Sequence, residues 1–97
     1  MNIEYHPAIE GELKDIIDYY NRCSAGLGTE FLDEFEQHVS KISLMPTRWM
    51  VIENDIRRSL MKRFPYVIYF RALENNLLRI TVVKHQRKHP RYGKRRK

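Results

Sequence analysis

Arg57, Arg58, Lys62, Arg63, Arg71, Arg79, His85, Arg87 and Tyr92 all fall in the second half of this 97-residue chain, together with a cation-rich tail. One chemistry these types allow is cleavage of RNA through its own 2′-hydroxyl. That reaction needs a base, cations to stabilise the phosphorane, and a proton donor to the leaving oxygen. A histidine ordinarily titrates near pH ~6.5, so His85 could serve as base or acid. Arg58 and Arg87 could each hold phosphate through paired hydrogen bonds, and Tyr69 or Tyr92 could stack a base. The same types also make a binding face without catalysis, with Arg58, Lys62, Tyr69, Arg71, Arg79, Lys88 and Arg91 as its contacts. Residue types alone favour this second reading.

Other chemistries find no support. The histidines are His6, His38, His85 and His89. His85 and His89 stand four apart, but in a basic, proline-containing stretch without a carboxylate, where a divalent cation is repelled. No metal is expected. Cys23 lies near the end of an acidic helix, which disfavours a thiolate, and is expected to be a buried spacer. Gly-x-Ser-x-Gly, P-loop and Gly-x-Gly-x-x-Gly patterns do not occur, and no cofactor is implied.

The elements that must position the cations can be read from periodicity. Ile3 and Tyr5 suit a short strand over Asn2–His6. Pro7 suits a helical first turn, and Ile9, Leu13, Ile16, Ile17 and Tyr20 follow at helical spacing up to about Cys23. Ser24-Ala25-Gly26-Leu27-Gly28 breaks the helix. A second helix, starting by Thr29, carries Phe31, Leu32, Phe35, Val39 and Ile42 and stops by Pro46. The pair is an antiparallel hairpin. The period then shortens to two. Strands are predicted over Ile56–Arg63, Tyr66–Arg71 and Leu78–Val83, with Glu74-Asn75-Asn76 as a turn. Tyr66, Ile68, Phe70, Leu78, Ile80 and Val82 should face the helices. Val67, Tyr69, Arg71, Arg79, Thr81, Val83 and His85 should form an open face, joined by Arg58 and Lys62. The fold class is α+β: an N-terminal strand, a helical hairpin, then a three-stranded antiparallel run completing one sheet.

Length allows one domain over residues 1–97, with a basic, mobile tail from about residue 86. Met1–Ile56 holds 11 acidic and 4 basic residues; Arg57–Lys97 holds 1 acidic and 14 basic. That division points to a polyanion or an acidic partner for the second half. No apolar run reaches the roughly 18 residues of a membrane span, the start lacks a signal-peptide pattern, and a single cysteine excludes an internal disulfide. A cytoplasmic setting is expected.

Arg57-Arg58, the run Arg63-Phe64-Pro65-Tyr66-Val67-Ile68-Tyr69-Phe70-Arg71, and the run from Arg79 to Tyr92 resemble the RelE/ParE superfamily of toxins from type II toxin–antitoxin systems. The Gly26-Leu27-Gly28 start of the second helix and the order of elements fit as well, so the resemblance covers nearly the whole chain. It implies a small growth inhibitor, held in a hetero-oligomer by a cognate acidic antitoxin. RelE-like members cut messenger RNA at the ribosome, and ParE-like members inhibit DNA gyrase without a catalytic set. A basic residue expected early in the third strand is Val67 here. Of two alternating cations expected in the second strand, Arg58 matches one and the other falls near Leu60. Gly93 follows Tyr92 where many relatives carry tryptophan. The His85-x-Arg87-Lys88-x-Pro90 ending resembles the ParE-like branch. The favoured expectation is therefore a gyrase inhibitor. The alternatives are a ribosome-dependent endoribonuclease using His85, Arg58, Arg87 and Tyr92, and a small RNA-binding module outside the family.

Overall fold

The computed structural model describes all 97 residues. Strand β1 (Asn2–Tyr5) leads into helix α1 (Ala8–Cys23) and helix α2 (Leu27–Leu44). A single 3₁₀ turn at Pro46–Arg48 is followed by β2 (Val51–Glu53), β3 (Ile56–Leu60), β4 (Tyr66–Leu73) and β5 (Leu77–His85). One sheet runs in the order β1-β5-β4-β3-β2. All neighbours are antiparallel except β1, which lies parallel to β5.

The helical hairpin forms as the sequence indicates. His6 Nδ1 accepts the Ala8 N–H at 3.1 Å, satisfying one of the amides that a helix start leaves unpaired. Gly26 turns the chain at φ +82°. Gly28 lets the helices touch, because a Cβ there would lie 2.4 Å from the Ile17 carbonyl oxygen. The stripe Phe31, Phe35, Val39 and Ile42 is buried against Ile68, Phe70, Leu78 and Ile80 of the sheet, with Ile9 and Ile16 of α1. Tyr20, Phe31, Phe64 and Tyr66 pack as an aromatic group with ring centroids 5.0–6.1 Å apart. Burial and the neighbouring Tyr66 push the Tyr20 phenol up to about 12.

Three expectations about the sheet need correction. Four strands follow the helices, not three, because Val51–Glu53 pairs with β3 through a turn at Asn54 (φ +50°). The predicted strand Ile56–Arg63 ends at Leu60. There Glu34 of α2 accepts the N–H groups of Lys62 and Arg63 at 2.7 and 3.2 Å and fixes the loop. The third correction is to the faces of β5. Tyr69 pairs with Val82 but Phe70 pairs with Ile80, so Thr81 is an extra residue in the ladder. This bulge reverses the alternation beyond it. Val83, not Val82, joins the helix-side core, while Val82 joins Ile56, Val67 and Tyr69 on the other face. The turn between β4 and β5 is where it was expected, with Asn75 and Asn76 both left-handed. Cys23, expected to be buried, is exposed at the end of α1. No helix is long and apolar enough to cross a membrane.

Candidate functional site

The bulge also decides where the proposed catalytic residues go. His85 lies opposite Tyr66 in the ladder, and the two rings meet edge to face at 5.3 Å. Because Tyr66 belongs to the helix-side core, His85 turns away from the face expected to hold it with Arg58. Arg58 lies opposite Tyr69 and lines a cleft of about 270 Å³ with Leu60, Val67, Tyr69 and Lys88. His85 and Tyr92 line a different cleft, of about 220 Å³, whose other walls include Glu12 and Asp15. Lys84 and Lys88 border both. Arg87 is exposed and lines neither. Its backbone N–H donates to His85 Nδ1 at 3.0 Å. The basic lone pair of the neutral imidazole is therefore occupied by the chain itself.

Tyr92 is also engaged. Its hydroxyl donates to Glu12 at 2.6 Å, and that bond, with burial, raises the phenol above its ordinary value. Arg96 completes a small network. It donates to both Glu12 oxygens at 2.9 and 2.8 Å and to the Thr81 carbonyl at 3.1 Å. β1 pairs β5 only as far as Ile80, and the Arg96 guanidinium caps the carbonyl of the next residue, Thr81.

The sequence did not reveal the centre of this region, Lys84. Its side chain is buried, and its ammonium donates to the carbonyls of His89, Pro90 and Tyr92 at 3.0, 3.1 and 3.2 Å. It also stands 4.4 Å above the Tyr69 ring. Burial and the nearby Lys94, Lys88 and Arg96 lower its pKa. One cation thus gathers three carbonyls and draws the chain after β5 over the sheet. Tyr92 then covers the apolar group of Ile56, Val67, Tyr69 and Val82. Gly93 is required at this crossing: it has φ +77°, and a Cβ would lie 2.3 Å from Val82 Cγ2. The face expected to be open is thus partly roofed by residues of the tail.

The expected contact residues are scattered. Arg71 and Arg79 face each other across β4 and β5, but Asp55 lies 3.5 Å from Arg71 and Glu4 lies 2.8 Å from Arg79. Lys62 is off the sheet face, beyond β3, and lines a groove with residues from the end of α2. Lys88 lies 4.2 Å over the Tyr92 ring, and Arg91 is exposed.

A second buried polar node lies between α2 and β3. His38 Nδ1 is 3.0 Å from Ser59 Oγ, and His38 Nε2 is 3.4 Å from Glu34. The order of groups resembles an activated serine, but Ser59 is 1% exposed and Glu34 is already committed to the Lys62 and Arg63 amides. The node is structural. Burial, more than any neighbour, lowers the His38 pKa. Its sequence signal was present: Glu34 and His38 occupy the same helical stripe as Phe31, Phe35 and Ile42, where polar residues need buried partners.

Comparison with known proteins adds a family. The profile of the family described as ParE toxin of type II toxin-antitoxin system, parDE, matches residues 3–90. No curated protein matches the sequence. Among solved structures, the chain is similar to one described as the chromosomal ParDE TA system from P. aeruginosa. The TM-score is 0.76 at 13% identity, over 88% of this chain and 95% of that one. At that identity the likeness is one of fold.

Proposed function

This chain belongs to the ParE toxin family of type II toxin–antitoxin systems, and from that premise we propose that it arrests growth in the cytoplasm by binding DNA gyrase, without catalysis of its own. The observation that carries this reading is the dispersal of the nuclease set. His85 and Arg58 border separate clefts, the His85 lone pair is taken by the Arg87 amide, and Glu12 holds the Tyr92 hydroxyl. Transition-state stabilisation requires those groups to converge on one phosphate before reaction. Binding requires only that cations be presented at the surface, which Arg58 and Lys88 do.

The test is induction of the chain in bacteria while plasmid supercoiling and messenger integrity are followed together. Loss of negative supercoiling, or DNA breaks, with intact messenger is the expected result. Codon-phased cleavage of messenger with normal supercoiling would replace this reading with the endoribonuclease one. In that case His85→Ala should abolish cleavage, whereas under the gyrase reading its effect on growth is partial. Membership of the family sets aside the RNA-binding module.

A further inference from the structure

Nine large apolar side chains stand exposed on this protein, and five of them fall between the end of α2 and the end of β3: Leu44, Met45, Met50, Val51 and Leu60. Scattered exposed leucines are ordinary, but a concentration of this kind marks a surface that is covered in use. Leu44, which is 80% exposed, joins Met45, Trp49 and Leu60 in lining a groove of about 600 Å³.

The rim of that groove carries one sign of charge. Lys41, Arg48 and Lys62 line it, and no carboxylate does. Five cations elsewhere pair with carboxylates: Arg63 with Glu30, Arg71 with Asp55, Arg79 with Glu4, Lys94 with Glu53 and Arg96 with Glu12. None of the three rim cations takes part in an ion pair. The groove is also built in advance. Arg57 Nη1 donates to the carbonyls of Thr47 and Trp49 at 3.2 and 2.6 Å, and the Arg58 amide donates to the Met50 carbonyl at 3.1 Å. These bonds hold the segment after α2 in place, so little ordering remains to be done when a ligand arrives.

We propose that this groove receives an acidic amphipathic segment of the antitoxin. Large apolar side chains of that segment would seat on Leu44, Met45, Trp49 and Leu60, and flanking carboxylates would pair with Lys41, Arg48 and Lys62. The inference rests on the chain being a type II toxin and names part of the surface through which it is silenced. A second copy of this chain fits less well, because a two-fold contact would bring the same unpaired cations toward one another. A nucleic acid would use the cations and leave the apolar floor unmatched.

The experiment uses the full-length toxin and the antitoxin encoded beside it. Lys41→Glu/Arg48→Glu changes two exposed positions, and Leu44→Lys changes a third without touching the core. Each variant is checked for an unchanged thermal melt, titrated with antitoxin, and induced alone for growth arrest. The expected result is antitoxin affinity weakened about 100-fold or more in the double variant, with growth arrest retained and rescue by antitoxin lost. Antitoxin segments carrying Lys in place of their carboxylates should restore binding to the Glu variant. Unchanged affinity in both variants would overturn the proposal. So would loss of growth arrest by a folded variant, which would give the groove to the toxin's target. A wild-type chain that arrests nothing would instead remove the toxin reading itself.

Discussion

On the helix side of the sheet, Phe31, Phe35, Ile42, Ile68, Phe70 and Ile80 are at most 1% exposed, and what covers each of them is apolar. On the tail side, Val67, Tyr69 and Val82 are almost as well buried. Their cover, however, is a stretch held by the Lys84 ammonium and by Arg96 on Glu12. The first closure draws on area removed from water and has no single weak point. The second depends on a few hydrogen bonds to charged groups, each worth more than a neutral one but each removable by one substitution. Two layers of similar burial can therefore fail in different ways.

The largest expected effect tests the helix side. Phe35→Ala should cost about 3–5 kcal/mol, combining lost transfer energy with a cavity. That is a large fraction of the roughly 5–15 kcal/mol available to a domain of this size. A denaturant titration measures it, and a loss below about 1 kcal/mol would mean that the α2 stripe is not the core contact.

Next comes the tail side. Glu12→Ala removes the carboxylate that accepts from both Tyr92 and Arg96 and should cost about 1.5–3 kcal/mol, the range for hydrogen bonds to charged groups. The more telling readout is local. Amide exchange should accelerate through residues 86–96 while β4 and β5 keep their protection. Loss of protection in β4 and β5 to the same degree would show that the tail and the sheet open as one unit, and the contrast between the two closures would fail. The same measurement on the wild-type chain tests the expectation of a mobile tail.

The contrast also explains what could be read from sequence. The helix side obeys periodicity: positions 31, 35, 39 and 42 lie on one helix face, and 66, 68, 70, 78 and 80 alternate on strands. The resemblance to the RelE/ParE superfamily, which rested on those strands, agrees with the family match. Periodicity failed at Thr81, because a bulge is one extra residue and leaves no mark in an alternating pattern of Ile, Thr and Val. That one residue moved Val82, Val83 and His85 to opposite faces and separated the expected catalytic partners. Lys84 was unreadable for a related reason. A lysine at the end of a strand is ordinarily solvated, and only the carbonyls of residues 89, 90 and 92, brought back by the turn, make its burial tolerable. β2 was missed because three residues give no period, yet that short edge borders the stretch that forms the apolar groove.

A third effect is pH-dependent and sharpens the helix side from its polar interior. Burial lowers the His38 pKa in the fold, while the unfolded chain titrates near the ordinary value of about 6.5. Below that value the unfolded state binds a proton that the folded state resists. The stabilisation is thus present above about pH 6.5 and is lost as the pH falls toward the folded pKa, by at most about 1.4 kcal/mol per pH unit. Thermal melts from pH 8 to pH 5 should show this slope, and His38→Gln should flatten it. An unchanged slope in that variant would assign the acid sensitivity to other groups.

The smallest effect separates geometry from environment. Arg79 meets Glu4 at 2.8 Å and Arg96 meets Glu12 at the same 2.8 Å, but the side chains of the first pair are 30% and 52% exposed and those of the second 17% and 15%. Water and salt screen the first pair, so its coupling energy should be about 0.2–1 kcal/mol and should fade as ionic strength rises. The second pair also serves Tyr92 and the Thr81 carbonyl, so its coupling should be larger and should persist in salt. Double-mutant cycles on Arg79/Glu4 and Arg96/Glu12, each measured at low and high salt, make the comparison. Equal couplings with equal salt dependence would mean that the tail-side network is a surface ion pair like any other, and that Lys84 alone holds the tail against the sheet.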